Sequence, residues 1–505
     1  MRIFEPSRDR QGAGPLVDQI VGAVSRAICE QALRAGMMLP SVRAFARAHG
    51  LSPYTVSVAY SRLVAQNWLV VRPGSGYRVA PQSVWRQAAA EAGIVVPAVN
   101  PNGLGLESEM RTVGKASAVR TTAVSDWTPP SLSNAWLLAD VFADHSIPIK
   151  SGCGWLPTEW LDEPGLRQAL RQVARTPINQ LAGYGHPYGY FPLREYVRQS
   201  LTEHGLAADV EQILLTQGAT QGLDIVLRTL LRPGDAVAVE LPCYANLLPT
   251  LRLAGLTVHG VRRDAQGLDI AGLEAMAQAS GIKALFVTTV LHNPTGTSLS
   301  MHNAFRVLQL AEHYDFRIIE DDVSRELLPG LGPMLAAMAE GRRVIQVSGF
   351  SKRIVPSMRV GYIVADAALI RDFATTKMAL GLTTPEMMER TVHHVLRQGR
   401  HCTHLQRIQA RLSQAHDAVC ALMDEHGVET FARPGAGLFL WARLPGAWHD
   451  AGALRLTAMA LRDGIWLAPG AYFDPTQADT GWLRFNVAYS THPGLWTFIR
   501  KAKAL

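Results

Sequence analysis

Apolar residues recur at helical spacing near the start of the chain. Leu16, Ile20, Val24, Ala27 and Ile28 share one face of an amphipathic helix that closes near Gly36. A second, shorter helix is predicted after Ser41, whose side chain can cap the first turn. Val42, Phe45 and Ala46 face inward along it, and Gly50 stops it. A third begins at Ser52-Pro53, a capping serine followed by a proline where the missing N–H costs nothing. Val56, Ala59, Tyr60 and Leu63 form its apolar face. Two strand-like runs, 68–72 and 77–79, then flank Pro73-Gly74-Ser75-Gly76, a glycine-tipped hairpin. Helix, helix–turn–helix and hairpin in this order predict a winged helix–turn–helix over residues 1–80.

Periodicity is lost from about residue 81 to 130, where Gly, Pro, Ser, Thr and Ala are spread without a sustained repeat. A stretch of about 50 residues is too long for a loop inside a compact domain, so 81–130 reads as a linker. From 131 to 505 the pattern is different again. Short apolar runs, ILLT (213–216), AVAVE (236–240), ALFVTTV (284–290), FRIIED (316–321) and VIQVSG (344–349), alternate with helical stretches such as 219–231 and 300–314. Continuous apolar strands separated by helices predict an α/β domain, with a mostly parallel sheet covered on both faces. Ligands of such sheets gather at the carboxyl ends of the strands.

Charge divides along the same boundary. The chain of 505 residues carries a formal +7, of which +6 sits in residues 1–80, which hold ten arginines, no lysine and four acids. A basic module on a nearly neutral body is the footprint of a nucleic-acid binder. A content of 48% hydrophobic and 18% charged residues excludes intrinsic disorder and a small disulfide scaffold. The start lacks the apolar stretch of a signal peptide, and no apolar run reaches the ~18 residues of a membrane span. The five cysteines (29, 153, 243, 402 and 420) form no CxxC pair. A cytoplasmic protein without a bound metal and without membrane contact is expected.

The segment GMMLPSVRAFARAHGLSPYTVSVAYSRLVAQNWLVVRPGSGYRV (36–79) resembles the GntR-type DNA-binding domain. The resemblance implies that Arg43, Ser52, Tyr54 and Thr55 face double-stranded DNA, with Arg72 and Gly74 on the wing. Taken alone, Arg43 or Arg72 reads equally well as a solvated surface arginine. Pro53 stands where many relatives carry arginine, so one contact is missing.

In the large body, chemistry-bearing residues follow the strands. Gln217-Gly218-Ala219-Thr220 opens a helix, whose free N–H groups suit a phosphate. Tyr244 offers an aromatic face. His292-Asn293-Pro294-Thr295-Gly296 presents an amide, Glu320-Asp321-Asp322 presents carboxylates, and Ser351-Lys352 precedes Arg359 by seven residues. A lysine for a Schiff base, a carboxylate for a pyridinium proton, and an arginine with a helix start for a phosphate fit pyridoxal 5′-phosphate (PLP).

The order GAT, PxY, NPTG, EDD, SKx6R resembles fold-type I aminotransferases over roughly residues 150–505, continuing through YGHPYGYFPLREYV, PGAGLFLWARLP and LRFN. The resemblance implies that Lys352 carries PLP as a Schiff base and Asp321 pairs with the pyridine nitrogen. It further implies that Asn293 donates to the phenolic oxygen and Tyr244 stacks on the ring. Gly218, Ala219, Thr220, Ser351 and Arg359 would surround the phosphate. Tyr184 would reach a neighbouring subunit's phosphate, and Arg484 would bind an amino acid's carboxylate as a bidentate fork. Relatives usually place a tyrosine two or three residues beyond the aspartate; here those positions are Val323 and Ser324, which puts efficient transamination in doubt.

Winged helix, linker and aminotransferase-like body together resemble the MocR/GabR family of bacterial regulators. This implies a head-to-tail homodimer that binds operator DNA and senses an amino compound, or PLP itself, through the large domain. The alternative is a working PLP-dependent aminotransferase acting on an amino acid.

Overall fold

The computed structural model describes residues 16–29, 33, 35–72, 76–81, 85, 147–445 and 452–503. The chain divides into two compact units, Met1–Ala123 and Val124–Leu505. Nearly all of the 81–130 linker, Gly74, and the side chain of Arg72 lie outside the described residues.

In the small unit, α1 (Leu16–Cys29), α2 (Val42–His49) and α3 (Pro53–Ala65) are followed by β1 (Leu69–Arg72) and β2 (Gly76–Val79), an antiparallel pair. Both expected serine caps form: Ser41 Oγ accepts from the Ala44 N–H at 3.2 Å and Ser52 Oγ from the Thr55 N–H at 3.0 Å. Gly50 ends α2 with φ of 65°, a left-handed conformation that costs glycine little. The first helix is described over Leu16–Cys29; Leu16 at its start is 42% exposed, so its buried stripe begins at Ile20. Ile20, Val24, Phe45, Val56, Tyr60, Leu63 and Trp68 form one core, across which the Tyr60 hydroxyl donates to the Pro40 carbonyl at 3.2 Å.

The large unit is built on seven strands: β3 (Ile213–Thr216), β4 (Ala236–Leu241), β5 (Thr257–Arg262), β6 (Ala284–Val287), β7 (Arg317–Asp321), β8 (Val344–Gly349) and β9 (Gly361–Val364). Their order is β3-β9-β8-β7-β6-β4-β5. All neighbours are parallel except those of β9, which runs against both β3 and β8. Side chains alternate between two cores, as strand geometry requires. Leu285 and Ile318 join α5 (Ile270–Ser280) and α6 (Met301–His313) on one face. Phe286, Ile319 and Val347 join α4 (Gly218–Leu230) and α7 (Ala367–Gly381) on the other. The run 284–290 is strand only to Val287; its last residues leave the sheet at the carboxyl end.

A second, antiparallel sheet has the order β10 (Glu429–Thr430), β11 (Phe439–Arg443), β13 (Trp482–Asn486), β12 (Ala468–Pro469). It packs with the long α8 (Arg400–Glu425) around Leu412, Val419, Leu440, Leu483 and Phe485, a core of its own.

Where β3 meets β9, the chain passes close to the start of α4. A Cβ on Gly361 would lie 2.6 Å from the Gly218 carbonyl carbon and 2.7 Å from the Ala219 nitrogen. Both are backbone atoms that cannot swing aside. Gly361→Ala is therefore expected to destabilise the full-length protein by about 1–3 kcal/mol. Urea denaturation would show this as a lower midpoint at unchanged slope; an unchanged midpoint would mean that the helix start yields freely.

Candidate cofactor pocket and DNA-facing surface

Nine of the sequence-predicted residues line a single cavity of about 360 Å³ at the carboxyl ends of the strands: Ala219, Thr220, Tyr244, Asn293, Asp321, Ser351, Lys352, Arg359 and Arg484. Asp321 is the last residue of β7, Ala219 and Thr220 belong to the first turn of α4, and Arg484 projects from β13. Two layers of the fold thus contribute to one wall. Gly218 sits behind the cavity with φ of +75°, and the Arg359 guanidinium occupies the place a Cβ would take. Tyr184 is not brought to this cavity; it is 86% exposed.

Burial pushes Lys352, Asp321, Arg484 and Tyr244 toward their neutral forms. Burial, reinforced by the charge of Arg484, lowers Lys352 to about 8, and its Nζ donates to the Gly154 carbonyl. Burial raises Asp321 to about 7; one oxygen accepts from the Val323 N–H at 3.3 Å. Burial lowers Arg484 to about 10. Its guanidinium donates to Asn293 Oδ1 at 2.8 Å and to the Gly152 carbonyl at 2.6 Å, and lies 4.7 Å and 5.0 Å from the Phe439 and Phe473 ring centres. Because the Asn293 oxygen is taken, its amide nitrogen is the atom left to donate. Burial also raises the Tyr244 phenol, whose oxygen accepts from Asn246 Nδ2 at 3.1 Å.

This donor set fits PLP. The start of α4, Arg359 and Ser351 form an anion cradle, closed so tightly over Gly218 that no side chain fits there. Asp321 faces the cavity with no cation bonded to it among the described residues, as a partner for a pyridinium requires, and burial eases loss of the proton from Lys352 beside it. Val323 and Ser324 line the same wall, so the two positions that lack the usual phenol do border the site.

Sequence reasoning passed over several wall residues. Trp155, Phe439, Trp466, Tyr472 and Phe473 all line the cavity, and the carbonyls of Gly152 and Gly154 hold Arg484 and Lys352. The aromatic-rich stretches GCGW and IWLAPGAYF were the available signal.

On the small unit, Arg43 and Ser52 are exposed and Tyr54 is 80% exposed at the start of α3, while Thr55 is half-buried. Ser52 Oγ lies 2.8 Å from Thr55 Oγ1. The pair that was expected to meet DNA therefore also fixes the entry of the helix that would present it.

Residues 162–501 match the family described as aminotransferase class I and II, and residues 16–79 match bacterial regulatory proteins of the gntR family. The chain is 29% identical over 460 residues to YdcR, an uncharacterised HTH-type transcriptional regulator of Escherichia coli, covering 90% of this chain and 91% of that protein. It is 28% identical to the HTH-type transcriptional regulator TauR of Rhodobacter capsulatus, covering 95% and 94%. Among solved structures it is similar to LysN, the α-aminoadipate aminotransferase of Thermus thermophilus, solved with N-(5′-phosphopyridoxyl)-L-leucine. That likeness has a TM-score of 0.65 at 25% identity, covering 70% of this chain and 92% of that one. Among the described residues no helix is long and apolar enough to cross a membrane.

The displaced acidity of Asp321 has a measurable sign. Its carboxyl titrates near 7 when folded, against 3.8 ordinarily, so the folded chain holds the extra proton between those values. Stability of the cofactor-free protein should accordingly fall as pH rises from about 4 to 7. Asp321→Asn should flatten that fall and weaken PLP binding about tenfold or more. Denaturation midpoints across this range, with a PLP titration, measure both; a slope identical to wild type would assign the pH dependence elsewhere.

Proposed function

Because the chain belongs to the aminotransferase class I and II family and joins that fold to a gntR-family module, we propose that it is a DNA-binding transcriptional regulator of the MocR/GabR type whose PLP-holding domain senses an amino compound, or PLP itself. One observation carries this reading: a cavity that gathers Lys352, Asp321, Asn293 and Arg359 without a phenol at residues 323 and 324 accompanies two helix starts that expose Arg43, Ser52 and Tyr54.

PLP supplies an aldehyde that condenses with amines and a ring that withdraws electrons from the product. The chain's own residues do the rest. Lys352, lowered to about 8 by burial, gives up its proton more readily than an ordinary lysine and so supplies the amine nucleophile. Asp321 would hold the proton on the pyridine nitrogen. Asn293 offers its amide N–H, and Arg484 offers two parallel N–H groups to a carboxylate once its bonds to Asn293 and Gly152 are exchanged. Without a tyrosine at 323 or 324, one donor that would steady the phenolic oxygen is missing, which favours holding an amine over rapid turnover. The rival reading, a working aminotransferase, is favoured by the assembly of Lys352, Asp321, Asn293 and Arg484 in one cavity.

A homodimer is part of the proposal. Ile178, Tyr184 and Phe191 are exposed, as are Leu382 and Met387 on the segment that packs beside Gly185 through Glu386. This apolar surface suits a second copy, toward which Tyr184 would point. Two DNA-binding modules held by a dimer would read paired half-sites at a set spacing.

Footprinting of DNA upstream of the protein's own gene, with and without PLP and candidate amines, should show a protected site that responds to ligand. Arg43→Ala should weaken it and reduce the slope of log K against log salt by about one. Rapid steady-state turnover of amino acids, with no DNA shift, would overturn the proposal in favour of the enzyme.

A further inference from the structure

Two of the cavity's cations rest on one short segment. Arg484 donates to the Gly152 carbonyl at 2.6 Å, and Lys352 Nζ donates to the Gly154 carbonyl. The near end of this segment is fixed by backbone. The Gly152 N–H donates to the Trp466 carbonyl at 2.7 Å, and the Asn486 N–H to the Ser151 carbonyl at 2.6 Å. A Cβ on Gly152 would lie 2.6 Å from the Ala468 nitrogen, so the segment is pressed directly against β12 there.

The far end is held by a side chain. Asn486 ends β13, is fully buried, and shares a strand face with Arg484. Its Nδ2 donates to the Cys153 carbonyl at 3.1 Å and to the Trp155 carbonyl at 2.8 Å. Its Oδ1 accepts from the Ala488 N–H at 3.1 Å, which turns the amide's donating end toward the segment. Gly154 therefore lies between two carbonyls that one amide pins. Glycine has the freest backbone of any residue, and among the described residues a Cβ there would meet only an Arg484 nitrogen, at 3.8 Å. Packing leaves the Gly154 peptide room to turn, and the Asn486 amide takes that freedom away.

The direction of the Gly154 carbonyl matters to Lys352. An amine that donates one hydrogen to a fixed carbonyl points its lone pair elsewhere, and only a lone pair aimed at the aldehyde can react. In that reaction the lone pair of Lys352 forms a bond to the aldehyde carbon. The aldehyde oxygen then leaves as water with the two hydrogens of the neutral amine, and a C=N bond remains.

We infer that Asn486 is a positioning residue for cofactor capture: by pinning the peptides on either side of Gly154 it aims the Lys352 amine. It does this from behind the cavity, whose lining does not include it. The inference rests on Lys352 being the cofactor lysine.

The test uses the full-length, cofactor-free protein and follows growth of the cofactor's visible band after mixing with PLP at increasing concentration. Pyridoxine 5′-phosphate, which has the ring and phosphate but an alcohol in place of the aldehyde, reports pocket affinity alone through its competition with PLP. Asn486→Leu removes the amide at similar volume, and Asn486→Ser leaves space for a water. Either should slow band growth at saturating PLP by about tenfold or more while pyridoxine 5′-phosphate binds within about twofold of wild type. Should one variant fail to fold, the other decides. An unchanged rate would overturn the inference. Equal losses in rate and in pyridoxine 5′-phosphate affinity, or failure of both variants to fold, would overturn it too, by making Asn486 a residue of the pocket's general structure. A band that persists in Lys352→Ala would instead remove Lys352 as the cofactor lysine, and with it the premise.

Discussion

Buried charge without a full set of partners is the condition around which the large domain is organised. Elsewhere in the same sheet, charges are buried with their partners supplied. Glu240 accepts from Arg263 and, at 2.8 Å, from the Thr288 N–H. Glu320 accepts from the Thr289 hydroxyl and the N–H groups of Leu335 and Ala336, all within 2.9 Å, while Arg325 donates to Asp322 at 2.6 Å. Removing one member of such a pair would strand the other, so these clusters hold structure. In the cavity, Lys352 and Arg484 meet only neutral oxygens, and Asp321 receives one backbone N–H. Desolvation displaces all three toward neutrality, as it also raises Glu240, Glu320 and Asp322 despite their partners; what sets the cavity apart is that, among the described residues, these three charges have no ion-pair partner. A phosphate, a pyridinium and a carboxylate would supply the missing counter-charges.

How far the sequence reveals this depends on whether a signal is local. Caps at Ser41, Ser52 and Gly50 are local chemistry, and each forms as its residue type dictates. Strands buried on both faces, such as 213–216 and 344–349, announce themselves as unbroken apolar runs. Thr257–Arg262 does not: it is an edge strand whose polar, half-exposed residues imitate a loop. Gly361–Val364 is four residues long and follows the cofactor motif so closely that its sequence reads as the motif's tail. Lys352, Asp321, Asn293 and Arg359 are legible because each follows a strand end, and topology gathers strand ends. Trp155, Trp466 and Tyr472 carry no such mark. Trp155 lies more than 300 residues from the other two, and only the packing of the second sheet beside the first brings them to one wall.

That packing also bears on how ligand occupancy could reach the rest of the molecule. Asp321 ends one strand of the seven-stranded sheet and Lys352 follows another, while Arg484 stands on the four-stranded sheet, and the two sheets keep largely separate hydrophobic cores. A core moves as a body more readily than it deforms, because its interior is close-packed. A ligand joined to the cofactor on one side, with Lys352 released, and paired with Arg484 on the other would therefore join two bodies whose direct polar link in the cavity includes the Arg484–Asn293 hydrogen bond. Binding energy made only when the two approach is differential energy, and differential energy is what shifts an equilibrium between arrangements. PLP alone can complete the charges on the first sheet, but it leaves Arg484 unpaired with any carboxylate. An amino acid would complete both.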